Sequence, residues 1–380
     1  MRFLFTSTPL DGHVRPMLPL ADTLRQRGHD VAFATHESWH EHIEAEGYPA
    51  LAAGASHADA RRVLEPHKAE IDALPPLERR PRIYPILFGR GHAPHKLDGL
   101  LRAARDWQPD ALVWESSDVA APVVASALGI PAVHHSFGAM VPLAAFRRCE
   151  DAVLPLWRQV GAEPLPYVGA FSGLYVDTCP ASLAWEQPPG ETVLLSPAAT
   201  APASPPPWLA ELGRPLVYAT LGTVFNDPGV LVRLVAGLDD VPAALVTIGR
   251  NLDPAALGTV PGHVRVERFV PQAGVLPACA AVVAHAGSGS TLAALAHGLP
   301  LVLVPQGADQ FENAVRVEDA GAGIVVMPED LTGDAVRSAL RRVLDDPSFA
   351  AAARRVAAEI ASMPRPEEVA SAVEEFAAGR

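Results

Sequence analysis

Residues 285–314, "HAGSGSTLAALAHGLPLVLVPQGADQFENA", place a histidine, a glycine-serine run, a helix pattern, an apolar strand pattern and an Asp-Gln pair in one continuous stretch. With the residues just before it, "AAVVAHAG" ends a buried strand, "SGSTLAALAHG" starts a helix that Gly298 closes, and "PLVLVP" is the next strand. A strand that enters a glycine-serine turn at a helix N-terminus leaves backbone N–H groups without partners at the positive end of the helix dipole. Such a corner binds phosphate. Gly287 and Gly289 alone decide little, because glycines also serve simply to turn the chain. His285 and the hydroxyls of Ser290 and Thr291 add donors at the same mouth and tilt the reading toward an anion site.

Working outward, the same rhythm fills the chain. "RFLFTST" (2–8) reads as a buried strand, and Pro16 sits where the first turn of a helix tolerates proline. Met17, Leu20, Ala21 and Leu24 then recur at helical spacing until Gly28 stops the helix. "DVAFATH", "PDALVWE" and "IPAVHH" continue the strands of the first half, and "PLVYATLG", "AALVTIG", "HVRVERFV", "AAVVAHA" and "PLVLVP" those of the second. Strands alternating with helices predict an α/β protein with parallel sheets covered on both faces. Residues 50–100 break the pattern and read as mobile helices and loops over a pocket. The proline-dense stretch 186–212 reads as a stiff linker. The predicted organisation is a Rossmann-like domain over 1–200, a second over 213–360, and a C-terminal helix over 361–380 that packs back on the first. Two α/β domains so joined leave a cleft at the strand ends, where open α/β sheets bind ligands.

Composition narrows the function. The chain has 380 residues, with 30 Lys and Arg against 43 Asp and Glu and a formal net charge of −13. That balance argues against a broad nucleic-acid surface. Cys149, Cys179 and Cys279 are odd in number and show no CxxC spacing, as expected of reduced cysteines in a cytoplasmic protein. No apolar run is long enough for a signal peptide or a bilayer span. No DxD occurs, and the histidines His36, His40 and His42 form no convincing metal set, so no metal site is expected.

Three separated motifs carry a family resemblance: "TSTPLDGHVRPMLPLADTLRQRGHDVAFAT" at the start, "FVPQAGVL" (269–276), and 285–314. Matching in order and spacing over the whole chain, they resemble the GT-B-fold, family 1 glycosyltransferases, in the branch that decorates macrolide, polyketide and other antibiotic-like natural products. The resemblance implies two Rossmann-like domains facing across a cleft. It also implies inverting, metal-independent transfer of a sugar from a nucleotide diphosphate to a small acceptor. By the same resemblance His285, Ser288, Gly289, Ser290 and Thr223 hold the diphosphate. Phe269, where many relatives have tryptophan, stacks on the base, Val270 offers backbone groups to its edge, and Gln272 lies beside it. Asp309 and Gln310 bond sugar hydroxyls. Relatives using UDP-sugars commonly have a glutamate for the ribose hydroxyls where this chain has Ala293, which favours a TDP-sugar, a deoxysugar in particular. The co-substrate would be this nucleotide sugar, with no further cofactor.

The first half should supply the base. His13 follows the first strand through a short loop, and a histidine pKa near 6.5 suits deprotonation of a hydroxyl at neutral pH. Its orienting partner, by the resemblance, is Glu115 at the end of "ALVWE", with Asp118 as the alternative. Tyr84, Phe88, Phe137, Met140, Phe146 and Trp157 suit a flat hydrophobic acceptor, and several suit the core equally well. Of the adjacent His134 and His135 only one can face the pocket, and His135 is the candidate. "ERRPR" (78–82) reads as a solvated loop. The alternatives are the same enzyme with a UDP-sugar, a nucleotide-sugar epimerase of the same fold, a dehydrogenase and a non-catalytic sugar binder. The dehydrogenase would need a GxGxxG turn that "STPLDGHVRP" lacks. Expected partners are the small acceptor and the donor, with no nucleic acid and no membrane insertion; a homodimer is allowed.

Overall fold

"RFLFT" forms an interior strand of a seven-stranded, wholly parallel sheet. In this computed structural model, which describes residues 1–198, 203–222, 227–250 and 252–379, the strands are β1 (Arg2–Thr6), β2 (Asp30–Thr35), β3 (Ala50–Ala52), β4 (Ala111–Glu115), β5 (Ala132–His135), β6 (Leu174–Asp177) and β7 (Thr192–Leu194). Their order is β3-β2-β1-β4-β5-β6-β7. Successive side chains feed opposite faces. Leu4, Leu112 and Trp114 enter one core with Leu97, Leu100 and Phe146, while Phe3, Phe5 and Val113 enter another with Met17, Leu20 and Leu24. A strand buried on both faces has no polar positions to alternate with, hence the continuous apolar runs. The helix Leu18–Gln26 follows a 3-10 turn that holds Pro16, and Gly28 ends it in the left-handed region at φ +88°.

A second six-stranded parallel sheet follows: β8 (Leu216–Thr220), β9 (Ala243–Thr247), β10 (Val264–Glu267), β11 (Ala281–Ala284), β12 (Leu301–Leu303) and β13 (Gly323–Val325), ordered β10-β9-β8-β11-β12-β13. In each sheet the winding reverses once, between β1 and β4 in the first and between β8 and β11 in the second. Loops leaving such neighbouring strands diverge at their C-terminal ends and open a crevice for a ligand. The nine longer apolar runs all appear as strands. The three- and four-residue strands β3, β6, β7 and β13 were not expected, because so few residues show no period.

The chain divides into two compact units. The first comprises Met1–Cys179, Glu186–Ser196 and Pro364–Arg380, and the second Pro180–Trp185 and Pro197–Met363. The expected linker therefore starts too early: residues 186–196 carry β7 and belong to the first unit. Pro180–Trp185 belongs to the second, where Arg316 donates to the Leu183 carbonyl at 2.9 Å and stacks over Trp185 at 4.1 Å. Helix Pro366–Ala377 contributes Val369, Ala370 and Val373 to the first unit's core and receives Arg27 and His29 on Glu374 at 2.7 and 2.6 Å.

Residues 50–100 correct the sequence reading. After three short helical turns, Pro76–Trp107 is one continuous helical run whose middle, Pro85–His92, is π-helical. Tyr84, Leu97 and Leu100 pack in the core. The wider π turn shifts the apolar positions off the 3.6-residue period, which hid the helix. "ERRPR" lies in this helix, with Arg80 buried and Arg82 paired with Glu70. Among the described residues no helix is long and apolar enough to cross a membrane.

Candidate functional site

The crevice of the first sheet holds a buried carboxylate with a histidine on it. β4 ends in Glu115, which is fully buried, and the loop after β1 leads through Thr8 into the short helix Asp11–Val14 that carries His13. His13 Nδ1 lies 3.0 Å from Glu115 Oε2. The same oxygen accepts from the Ser117 N–H at 2.7 Å, and Oε1 accepts from the Thr8 N–H at 3.0 Å and its hydroxyl at 2.9 Å. Burial alone would raise the pKa of Glu115. His13 and the two N–H groups outweigh it and hold the carboxyl at about 2. An ionised Glu115 accepts the Nδ1 proton of His13, leaving a lone pair on Nε2. The imidazole is thus set to take a proton.

Asp118 is otherwise engaged. Its Oδ2 lies 3.1 Å from Lys96 Nζ and accepts from the Thr6 hydroxyl at 2.5 Å. Burial pushes its pKa up despite these partners. Lys96, unforeseen in the sequence, also donates to the carbonyls of Ser7 and Ala34 at 2.9 Å each, and so ties the ends of β1 and β2 together beneath the site. A lysine on an otherwise apolar helix face was the available signal.

Around His13, Phe137 has its ring centroid at 4.6 Å and Phe88 at 6.3 Å, and both are partly exposed. The other acceptor candidates lie deeper. Tyr84 is a core residue that donates to the Ser116 carbonyl, and Phe146 and Trp157 are core as well. Met140 is buried. His134 and His135 do point to opposite faces, but neither reaches the surface. His134 stacks on Trp114 at 4.1 Å, and His135 binds the Ser136 carbonyl at 2.6 Å. All four side chains, Tyr84, Met140, His134 and His135, are buried in this structure.

The second sheet's crevice matches the corner read from 285–314. Helix Ser288–Ala296 has Gly287 as N-cap and no side-chain cap. Its first backbone bond runs from Thr291 N to Gly287 O at 3.0 Å, so the N–H groups of Ser288, Gly289 and Ser290 precede the helical ladder. His285 stands beside them, wedged between two glycines. A Cβ on Gly222 would lie 2.7 Å from its ring, and one on Gly287 2.4 Å from Nε2. Burial pushes the His285 pKa down to about 4, although Asp309 nearby and a hydrogen bond to the Thr220 backbone oppose this. The neutral ring can offer one N–H, and Nδ1 has no hydrogen-bond partner among the described residues. Ala286, next in the chain, takes a left-handed φ of +64°, the kind of strain that persists where surrounding contacts hold it.

Those contacts come from Asn313, which the sequence reading passed over. Its Nδ2 lies within hydrogen-bond reach of Ala286 O (3.0 Å), Asp309 Oδ2 (2.9 Å) and Ser288 Oγ (3.1 Å), and Ser288 Oγ donates to Asp309 Oδ2 at 2.8 Å. Asn313 is one helical turn after Asp309, so the spacing in "DQFEN" was the signal. Ser288 therefore offers its backbone N–H rather than its hydroxyl. Of the Asp-Gln pair, Asp309 is partly exposed, but Gln310 is buried, its Oε1 accepting from the N–H groups of Gln306 and Gly307 at 2.7 and 3.1 Å. In this arrangement Gln310 holds its own loop through the carbonyl, which leaves the side-chain NH₂ as its donor group. Gln272 donates to Ser290 Oγ at 3.0 Å. Phe269 is half-exposed with the Arg250 guanidinium 4.0 Å over its ring, and the Val270 side chain is buried, which leaves only its backbone to act. Thr223 lies outside the described residues.

Comparison with known proteins gives the class. The structure of the glycosyltransferase VinC in complex with DTDP superposes with a TM-score of 0.81 at 26% identity, covering 100% of both chains. The two Rossmann-like units are thus the GT-B fold of the natural-product glycosyltransferases. Residues 22–211 and 233–376 match the models of the N- and C-terminal domains of the erythromycin biosynthesis protein CIII-like family. The chain is 32% identical to the elloramycin glycosyltransferase ElmGT of Streptomyces olivaceus, over 98% of this chain and 96% of the relative. It is 35% identical to the L-demethylnoviosyl transferase of Streptomyces niveus, over 97% of each. The chain belongs to the erythromycin biosynthesis protein CIII-like family, and it is a glycosyltransferase.

Proposed function

We propose that the protein transfers a sugar, a deoxysugar, from a TDP-sugar to a hydroxyl of a small hydrophobic natural-product aglycone, with inversion and without a metal ion. The observation that carries this is His13 Nδ1 on the buried, ionised Glu115, which leaves Nε2 as the acceptor of the hydroxyl proton. The acceptor oxygen then attacks the anomeric carbon from the face opposite the diphosphate, and the bond from that carbon to the diphosphate oxygen breaks. The charge left on the diphosphate falls to the N–H groups of Ser288, Gly289 and Ser290 and to His285. Preorganised donors of this kind are usually the largest catalytic contribution.

TDP as the carrier is supported by Ala293, four residues after Gly289 and so on the face of the helix below its open N-terminus. A carboxylate there would face a 2'-deoxyribose with one partner missing, at a cost of about 1–3 kcal/mol. The binding of DTDP by VinC agrees.

The test is calorimetric titration with TDP and UDP in the presence of a chelator, alongside sugar-transfer rates, for the wild type and His13→Ala. TDP should bind more tightly than UDP, and equally well to both proteins. Loss of the base should slow transfer by about 10²–10⁴-fold. Near-normal transfer by His13→Ala would remove the base assignment, and tighter UDP binding would overturn the donor.

A further inference from the structure

The π-helical segment Pro85–His92 is eight residues long, whereas π turns are usually single and tend to occur at functional sites. Its geometry stacks two rings four positions apart: Phe88 and His92 have centroids 5.7 Å apart at 21°. Phe88 is the ring that lies 6.3 Å from His13. On its other side His92 meets His57, with His92 Nε2 and His57 Nδ1 3.1 Å apart and the rings stacked at 5.3 Å. His57 opens the helix His57–Arg61, which Ser56 caps. That helix can seat here only because residue 91 is glycine, since a Cβ would lie 2.6 Å from the Ala60 carbonyl oxygen.

Two imidazoles at this distance share one proton between their facing nitrogens, one donating and the other accepting. Neither ring bonds a carboxylate among the described residues. Burial, together with the cationic or titratable neighbours Arg61 and His13 for His57 and Lys96 and His13 for His92, keeps both neutral, the Glu115 charge near His92 notwithstanding. His57 is partly exposed, and its Nε2 makes no hydrogen bond among the described residues. Depending on which ring holds the shared proton, that nitrogen is a donor or an acceptor, so it suits a carbonyl or a hydroxyl equally.

We propose that His57, held and completed by His92, binds a second oxygen of the acceptor, across the Phe88–Phe137 rings from the hydroxyl that His13 deprotonates. The acceptor class is then a planar aromatic aglycone that carries at least two oxygen substituents. The inference rests on the glycosyl-transfer reading of His13, and its test keeps the two apart.

Binding of 2-naphthol and of 1,5-, 2,6- and 2,7-dihydroxynaphthalene is measured by calorimetry on the wild type, His57→Phe and His57→Gln, with TDP titrated into the same samples. At least one diol should bind the wild type about tenfold more tightly than 2-naphthol, the equivalent of one added hydrogen bond. His57→Phe, which keeps the stacked ring, should reduce that diol to the level of 2-naphthol, and His57→Gln should restore part of the gap. If the melting temperature shows His57→Phe to be misfolded, His57→Leu takes its place. A wild type without diol preference, or a preference that survives loss of the His57 nitrogens, overturns the inference. Failure of the wild type to bind TDP would instead remove the donor reading and leave the oxygen-binding pair standing.

Discussion

At the scale of single residues, the site depends on Glu115 having no oxygen to spare. Each carboxylate oxygen accepts from one backbone N–H, which can only donate, and from one side chain: Thr8 N and Oγ1 on one, Ser117 N and His13 Nδ1 on the other. An amide in its place must turn an NH₂ toward an N–H, whichever way it is flipped. Glu115→Gln should therefore free the His13 ring and lower turnover by about 10²-fold or more, while TDP affinity in the second unit stays unchanged. Initial rates beside a TDP titration decide this, and wild-type turnover would show that His13 needs no orienting partner. Only Asp118 stood as a rival in the sequence, three positions away at the same strand end. What separates the two is Lys96, distant in sequence, which claims Asp118 through a buried ion pair.

Elements position these residues through close approaches at glycine. Gly287 and Gly289 look alike in "AGSGS", yet their surroundings differ. A Cβ at 287 would press on His285 Nε2 at 2.4 Å, whereas one at 289 meets no protein atom within 4 Å. Gly287→Ala should displace His285 and weaken TDP binding. Gly289→Ala should raise the melting point slightly, since alanine favours a helix by up to about 1 kcal/mol over glycine. Its TDP affinity should nevertheless fall, if the diphosphate occupies the open space at the helix start. Melting curves and TDP titrations of both variants test the pair together. Unchanged TDP binding in both would take the ligand away from this helix. The run Pro76–Trp107 makes the opposite point: its three internal prolines suggested broken structure, but packing against the helix Leu143–Val160 carries it through. At Gly89 that approach is so close that a Cβ would lie 2.8 Å from Cys149 Sγ.

Across the whole molecule, buried neutral histidines should set the acid limit of stability. Burial lowers His92 and His134 to about 3 and His135 to about 4. Unfolded, each would titrate near 6.5, so below that pH the unfolded chain binds protons that the folded one refuses, and stability falls as pH drops from 6.5 toward 4. Glu115 has the reverse sign: its depressed pKa adds stability that is complete above about 4.5 and is lost only as pH falls toward 2. Between pH 7.5 and 5.5 only the histidines act, at about 1 kcal/mol each. Guanidinium unfolding at the two pH values should show this drop. Equal midpoints would mean that these rings are hydrated in the folded protein.

Sequence alone determined the parallel α/β architecture, because strands covered on both faces must be written as unbroken apolar runs. It determined the strand-turn-helix corner at Gly287–Ser290 as well, because that corner is local: strand, turn and helix start follow one another in the chain. The family motifs also pointed to His13. Tertiary structure decided everything that depends on which distant side chains meet. It gave Glu115 rather than Asp118 to His13, withdrew Tyr84, Met140 and His135 into the packed interior, and turned the Gln310 carbonyl onto its own loop. It brought Asn313 to the strained Ala286, and it set His57 against His92, 35 positions on. A short period or a motif marks contacts made within an element. Contacts between elements leave no mark in the sequence until the packing of the sheet brings their residues together.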